Sequence, residues 1–281
     1  MSKNATPVLL GNKAIYRGGD VLTYSQVKVS TKNGICLVKL NRPDIRNALV
    51  MEMREELIDL FTGMAADESV KVVILTGEGK AFSAGGDLRT LQNVTSEAGR
   101  KRLQIGHRLI ESIMSLEKPV IAAVNGAAAG AGTSIAFACD VILASDSAFF
   151  VQSFIKVGLV PDLGSAYLLP RLIGRQRALE MMLFGERITA DQAKQLGVVN
   201  KVSEHEQLLK DAYGMAEKLA EGPGLAMGLT KKLVNRGMDG SLQELFALEG
   251  LAQGLCFESV DFTEGVNAFF EKRNPVFTSQ G

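Results

Sequence analysis

Tryptophan is absent from this 281-residue chain, histidine occurs twice and cysteine three times. Cys36, Cys139 and Cys256 stand far apart, form no CxxC pair and join no ligand cluster. That spacing excludes a structural zinc site and points to a reducing compartment. Excess charge is missing too: 31 basic residues balance 31 acidic ones. No Lys/Arg run breaks the balance, so nothing calls for a nucleic-acid partner. No apolar run reaches the ~20 residues of a membrane-spanning helix. The opening MSKNATPVLLGNKAIYRGGD lacks a basic start followed by a sustained apolar core, so it is not a secretory signal. The glycines build neither a Walker loop nor GxGxxG, and no flavin or nicotinamide fingerprint is present. The expectation is a soluble cytoplasmic protein with no metal, nucleic-acid or membrane partner.

What the chain does have is apolar mass, 46% of its residues, enough for one large domain or a domain with an appendage. β-rich pulses come first: QVKVST, ICLVKLN, KVVILTG, PVIAAVNG and DVILAS. Most end in Gly, Asn or another polar residue, as strands entering turns do. NALVMEMREELIDLFTGMAAD and GRKRLQIGHRLIESIMSL carry helical spacing between them. Strands alternating with helices predict an α/β fold. After about residue 165 helices take over, from GRQRALEMMLFG to VDFTEGVNAFFEKR, with Thr189 and Ser241 placed as N-caps. Neither a strict repeat nor a low-complexity linker is present.

Three segments carry candidate chemistry. GKAFSAGGDL (79–88) follows a strand, and Gly85–Gly86 leaves backbone N–H groups bare for a ligand. By itself it also reads as an ordinary glycine turn. VNGAAAGAGTSIAFACD (124–140) ends a strand at Asn125 and begins a small-residue helix near Ala131, where N–H groups are free. Close packing through Gly and Ala explains the same composition, and the two readings are compatible. GLVPDLGSAYLLPRLIG (158–174) sets one acid, Asp162, at the mouth of an apolar helix. A cap or turn acid is the ordinary reading and a general base the alternative. Backbone N–H bonds would lower its pKa, and desolvation by apolar neighbours would raise it.

In this order and spacing the three segments resemble the crotonase (enoyl-CoA hydratase/isomerase) superfamily. VKLNRPDIRNAL, GERITADQAKQLGVVNKV and FTEGVNAFFEKRNPVF extend the resemblance over about residues 26–277. It implies a spiral of ββα turns with a C-terminal helical trimerisation region: a leader at 1–25, a spiral core at 26–203 and the helical region at 204–281. It also implies an acyl-CoA thioester ligand, with coenzyme A as part of the substrate and no separate cofactor, in a homotrimer or a hexamer of paired trimers. By position, the N–H groups of Gly86 and Ala131 form the oxyanion hole. Ala84 and Leu88 lie beside the CoA adenine, and Arg42, Arg46 and Lys80 are phosphate neighbours. Lys272 and Arg273 contribute from a neighbouring subunit.

The chain departs from the hydratase pattern. The two glutamates that handle water in typical hydratases are replaced by Ser134 and Phe154. An Asp at position 162 resembles ring-epoxyphenylacetyl-CoA isomerases, dienoyl-CoA isomerases and 4-chlorobenzoyl-CoA dehalogenases. Dienoyl isomerases carry further acids that Ser134 and Phe154 do not supply. The dehalogenases use aromatic walls and a His, whereas this chain has no Trp, and His107 and His205 fall outside any matching motif. The pattern lies closest to the ring-epoxyphenylacetyl-CoA isomerases. A single base suits isomerisation, because one carboxylate can move a proton between two carbons on the same face while an oxyanion hole holds the enolate. Phe154, Val157 and Leu159 are expected to line an apolar pocket around it. Catalysis is therefore expected from Asp162, Gly86 and Ala131, with Ser134 and Phe154 against the substrate. The alternatives are an enoyl-CoA hydratase, a hydrolase or dehalogenase with Asp162 as nucleophile, and a non-catalytic acyl-CoA binder.

Overall fold

The computed structural model describes residues 24–278, and before them only the backbone of four two-residue strands. β1 (Leu9–Leu10) pairs antiparallel with β2 (Lys13–Ala14), and β3 (Tyr16–Arg17) with β4 (Asp20–Val21). Most of the leader expected at 1–25 thus lies outside the described residues.

β5 (Val27–Lys32) and β6 (Ile35–Leu40) form an antiparallel hairpin, and α1 (Met51–Ala65) crosses over to β7 (Val72–Gly77), parallel to β6. A repeated step then begins. β7 is followed by β8 (Ala81–Ser83) and α2 (Ser96–Ser115), and β9 (Val120–Val124) by β10 (Ala127–Ala129) and α3 (Ala131–Phe137). β11 (Val141–Ser145) is followed by β12 (Phe149–Val151), α4 (Ser165–Ile173) and α5 (Arg175–Phe184). β13 (Arg187–Thr189), α6 (Ala190–Gln195) and β14 (Lys201–Ser203) close the series. The first strand of each step joins a six-stranded sheet ordered β14-β11-β9-β7-β6-β5. The second joins a four-stranded sheet ordered β13-β12-β10-β8. This alternation between two sheets is the expected spiral. The short second strands that a ββα turn requires are not among the β-rich pulses of the sequence: AAA at 127–129 lies between the strand end at Asn125 and the helix start at Ala131, and takes a strand register between β8 and β12.

β7 and β9 are buried along their whole length, as interior parallel strands covered on both faces must be. Alternate residues serve the two sides. Val73, Leu75, Ala122 and Val124 pack with Leu57 and Phe61 of α1. Val72, Ile74, Ile121 and Ala123 pack with Leu208, Ala212 and Ala216 of α7 (Leu208–Ala220). α8 (Gly224–Gly237), α9 (Leu242–Phe257) and α10 (Val260–Glu271) follow. Thr189 and Ser241 are N-caps as expected, each completing a capping box with Gln192 and Glu244. Among the described residues no helix is long and apolar enough to cross a membrane.

The helix expected from Asn47 begins only at Met51. Arg46 and Asn47 are left-handed, with φ of 53° and 55°, so they cannot continue a right-handed helix. The buried Asn47 side chain accepts from Arg42 N at 2.8 Å and donates to the carbonyls of Glu78 (3.0 Å) and Ala81 (2.8 Å). It ties the loop before α1 to both ends of the β7–β8 turn. Asn47→Ala leaves a buried N–H and two carbonyls unpaired, at ~1–3 kcal/mol each when unsatisfied. We expect a loss of about 3 kcal/mol in urea unfolding; a loss below about 1 kcal/mol would mean that the clip is dispensable.

Candidate active site

The Gly85–Gly86 turn is held by the loop before α1. Ser83 Oγ donates to Asn47 O (2.8 Å), Ala84 N to Arg46 O (2.8 Å) and Leu49 N to Gly85 O (2.7 Å). Gly85 has φ +84°, and a Cβ there would lie 2.5 Å from Ala129 O and 3.1 Å from Ala131 N. Only a residue without a side chain allows this approach. The contact brings the β8 turn onto the β10–α3 turn, and with it the two segments that carry Gly86 and Ala131. Among the described residues neither N–H has an acceptor within the chain. The Phe154 ring flanks this place, 3.7 Å from where a Cβ on Gly130 would stand.

Asp162 is half-buried ahead of α4, whose N-cap is Gly164. The expected helix cap is therefore not made by this acid. Leu163 and Gly164 are both left-handed, which turns the chain before the helix starts. Asp162 contributes its backbone carbonyl to Ser165 N and Ser134 Oγ, while its carboxyl Oδ1 is buried with no hydrogen-bond partner. Burial pushes the carboxyl pKa up, and the positive charges of Arg54, Arg102 and His107 pull it back in that order. The upward effect wins.

Arg54 and Arg102 were not singled out from the sequence. Arg54 is buried within α1 and donates to Leu49 O (3.2 Å) and Arg102 O (3.4 Å). Burial, reinforced by Arg102, pushes its guanidinium down to about 10, with Asp162 opposing. Arg102 shares a face of α2 with Gly106, Leu109 and Ile113 by helical spacing. Its Nη2 is buried without a partner. The signal was available: Arg54 recurs with Leu57, Ile58 and Phe61, and Arg102 with Leu109, so each charge sits on an apolar face. Gly106 completes the arrangement, since a Cβ there would collide with Leu163, the residue after Asp162.

Several expected contacts fall elsewhere. Ser134 is fully buried, and its hydroxyl is taken by Ser165 Oγ (2.8 Å) and Asp162 O (3.1 Å). It braces the Asp162 loop from behind rather than lining the site, because α3 turns it into the protein. Gln152 extends that layer, donating to Thr133 Oγ1 and Ser165 Oγ. Phe154 is buried as expected, but Val157 and Leu159 are 47% and 46% exposed on the turn after it. They do not close a pocket within one chain, because the 3-10 turn at Ser153–Val157 carries them to the surface. Ala84, Leu88, Arg46 and Lys80 are exposed near the turn. Arg42 is engaged by Asp44 and by Gln26 Oε1. Lys272 is exposed at the end of α10.

A family model described as Enoyl-CoA hydratase/isomerase matches residues 30–280. The chain is 37% identical over 254 residues to 1,2-epoxyphenylacetyl-CoA isomerase of Escherichia coli (strain K12), covering 89% of this chain and 97% of that protein. It is 35% identical over 260 residues to crotonyl-CoA hydratase of Syntrophomonas wolfei subsp. wolfei, covering 92% and 100%. Among solved structures, the enoyl-CoA hydratase of Bacillus anthracis matches with a TM-score of 0.86 at 34% identity, covering 90% of this chain and 99% of that one. Hydratase names predominate among such relatives.

The raised carboxyl of Asp162 has a stability consequence. An unfolded Asp titrates near ~3.9, and the folded one above it. Between the two values the folded state holds the extra proton, so stability falls as pH rises through that window. At neutral pH the ionised side chain is a net burden on the fold. Asp162→Asn is expected to be more stable than wild type in urea at neutral pH, with the gain shrinking below about pH 4. A variant less stable at neutral pH would contradict the burial of an unpartnered carboxylate.

Proposed function

The chain belongs to the enoyl-CoA hydratase/isomerase family, and within it we propose an acyl-CoA isomerase that works through a thioester enolate. One observation carries this reading: Asp162 offers a buried, unpartnered carboxyl oxygen on a loop that Ser134 ties to α3, the helix that Ala131 begins, and among the described residues the N–H groups of Gly86 and Ala131 have no acceptor. The neighbouring positions supply no second acid, since Ser134 is bound into the interior and Phe154 is apolar.

In this reading coenzyme A enters as part of the substrate, and no separate cofactor takes part. The thioester oxygen sits on the N–H groups of Gly86 and Ala131. The Asp162 carboxylate removes a proton from the α carbon of a β,γ-unsaturated acyl-CoA. The C–H electron pair moves toward the thioester, and the negative charge collects on its oxygen. Backbone donors aimed at that oxygen are worth ~2.7–4 kcal/mol each in comparable enzymes. The carboxylic acid then returns the proton to the γ carbon on the same face, leaving the double bond between the α and β carbons. A ring rearrangement uses the same enolate. Burial strengthens Asp162 as a base, while Arg54 and Arg102 keep its ionised form accessible. The CoA moiety runs past Ala84 and Leu88 toward Arg46 and Lys80, with Lys272 reaching in from a neighbouring chain.

The relative named 1,2-epoxyphenylacetyl-CoA isomerase supports this reading, and the hydratase names among relatives support water addition instead. Solvent deuterium exchange separates the two. Wild type in D2O is expected to put deuterium into a β,γ-unsaturated acyl-CoA and move its double bond. Asp162→Asn should lose both by at least ~100-fold while still binding CoA. Equal exchange by the two proteins would remove Asp162 as the base. Hydration of an α,β-unsaturated acyl-CoA without exchange would establish the hydratase. Release of free CoA would mark a nucleophilic Asp162, and binding with no turnover a non-catalytic binder.

The proposal includes self-assembly. α9 and α10 expose Leu251, Phe269 and Phe270 at 71%, 78% and 77%, beside a groove lined by Leu225, Val266 and Phe277. Large apolar side chains left this exposed around an apolar groove mark a protein contact. Sedimentation equilibrium is expected to give the mass of three or six chains; a monomer at micromolar concentration would refute it.

A further inference from the structure

The mechanism above moves negative charge from Asp162 to the thioester oxygen, and one cation lies beside both ends of that path. A Cβ on Gly86 would stand 3.8 Å from Nη2 of Arg102, so the guanidinium borders the turn whose N–H receives the thioester oxygen. The same group acts electrostatically on Asp162. Its Nη2 is buried and makes no hydrogen bond, and among the described residues Arg102 forms no ion pair within 4.0 Å. A buried guanidinium N–H without an acceptor is costly, and an acceptor arriving with the substrate would remove that cost.

The surroundings assign the task to Arg102 rather than to its neighbours. Arg54 donates through Nε and Nη1 to the carbonyls of Leu49 and Arg102, holding the α2 backbone in place, and of the two guanidinium groups it is that of Arg102 that borders Gly86. His107 is exposed. Asp87, the other acid that acts on Arg102, has its carboxylate engaged by Arg89. Arg102 and Gly106 lie one helical turn apart on α2, and Gly106 seats the Asp162 loop through Leu163. α2 therefore sets the cation and the base in one frame.

We propose that Arg102 is a catalytic counter-ion that contacts the thioester enolate and stabilises the negative charge first on Asp162 and then on the thioester oxygen. Arg102 keeps its own protons throughout. The only proton transferred is the one that Asp162 takes from and returns to carbon. A fixed cation near both positions spares the dry site the cost of uncompensated charge at either stage. This inference rests on the enolate reading of the function.

The test uses acetoacetyl-CoA, a β-ketoacyl thioester whose enolate absorbs in the near ultraviolet, so that enolate stabilisation is read without turnover. Wild type should lower the apparent pKa of the bound ligand relative to the free thioester. Arg102→Gln should weaken that effect at least ~10-fold, about one pKa unit, whereas Arg102→Lys should stay within about threefold of wild type, since it keeps the charge. Among the described residues the Arg102 side chain donates no hydrogen bond, and thermal unfolding will verify that both variants remain folded. In the exchange assay Arg102→Gln should lower kcat by ~100-fold with KM little changed. A glutamine variant that titrates bound acetoacetyl-CoA as wild type does overturns the proposal. A rise in KM with unchanged titration would make Arg102 an anchor for the acyl group, which overturns it too. Absence of any pKa shift in wild type would bring down the enolate reading itself and this inference with it.

Discussion

A side chain at position 85 would meet the carbonyl oxygen of Ala129 at 2.5 Å, so the turns after β8 and β10 meet only as bare backbone. That contact joins two layers of the spiral, and the candidate site is built on it. The β8 turn is clipped to the loop before α1 through Asn47, Ser83 and Leu49. The β10 turn is held by its place between β8 and β12. Two backbone N–H groups are thus positioned by many hydrogen bonds that involve neither of them. Preorganisation of this kind lets a donor act on developing charge without reorganising when the charge appears.

Asp162 shows the opposing forces in the site. Burial favours its neutral form, and three positive groups favour its ionised form. The first effect is larger, which makes the side chain a stronger base than a surface carboxylate while it lowers the stability of the fold. The arginines share the same burden, since Arg54 and Arg102 both have their guanidinium groups pushed down by desolvation. Charge of both signs held out of water without direct pairing is characteristic of sites organised for chemistry rather than for stability.

The layer behind the base is polar and closed. Ser134, Ser165, Gln152 and Thr133 bond to one another, and Ser134 also grips the Asp162 carbonyl. A serine hydroxyl has the reach to tie two loops together but no capacity to act as an acid here, so its role is to hold the loop. On the outer side, Ile155, Val157, Leu159 and Val160 stand exposed on a short turn, and α9 and α10 expose aromatic rings. One chain leaves both surfaces uncovered.

Sequence by itself determined the alternation of strands and helices, the helical second half, the caps at Thr189 and Ser241, and the family, because these rest on local periodicity, turn chemistry and ordered motifs. It also picked out Gly86, Ala131 and Asp162, each inside a motif short enough to read in a line. Only the tertiary structure decided what surrounds them. Arg54 and Arg102 come from α1 and α2, far from residue 162 in the chain, and act on it only because α1 packs against α2 and α2 seats Leu163 on Gly106. Local pattern registers an arginine on an apolar helix face but not the partner it faces. Ser134 was turned away from the expected lining position, and Asp162 from the helix cap though not from the candidate base, for the same reason: which way α3 turns a hydroxyl, and whether a left-handed Leu163–Gly164 pair separates an acid from its helix, are settled by packing across the fold.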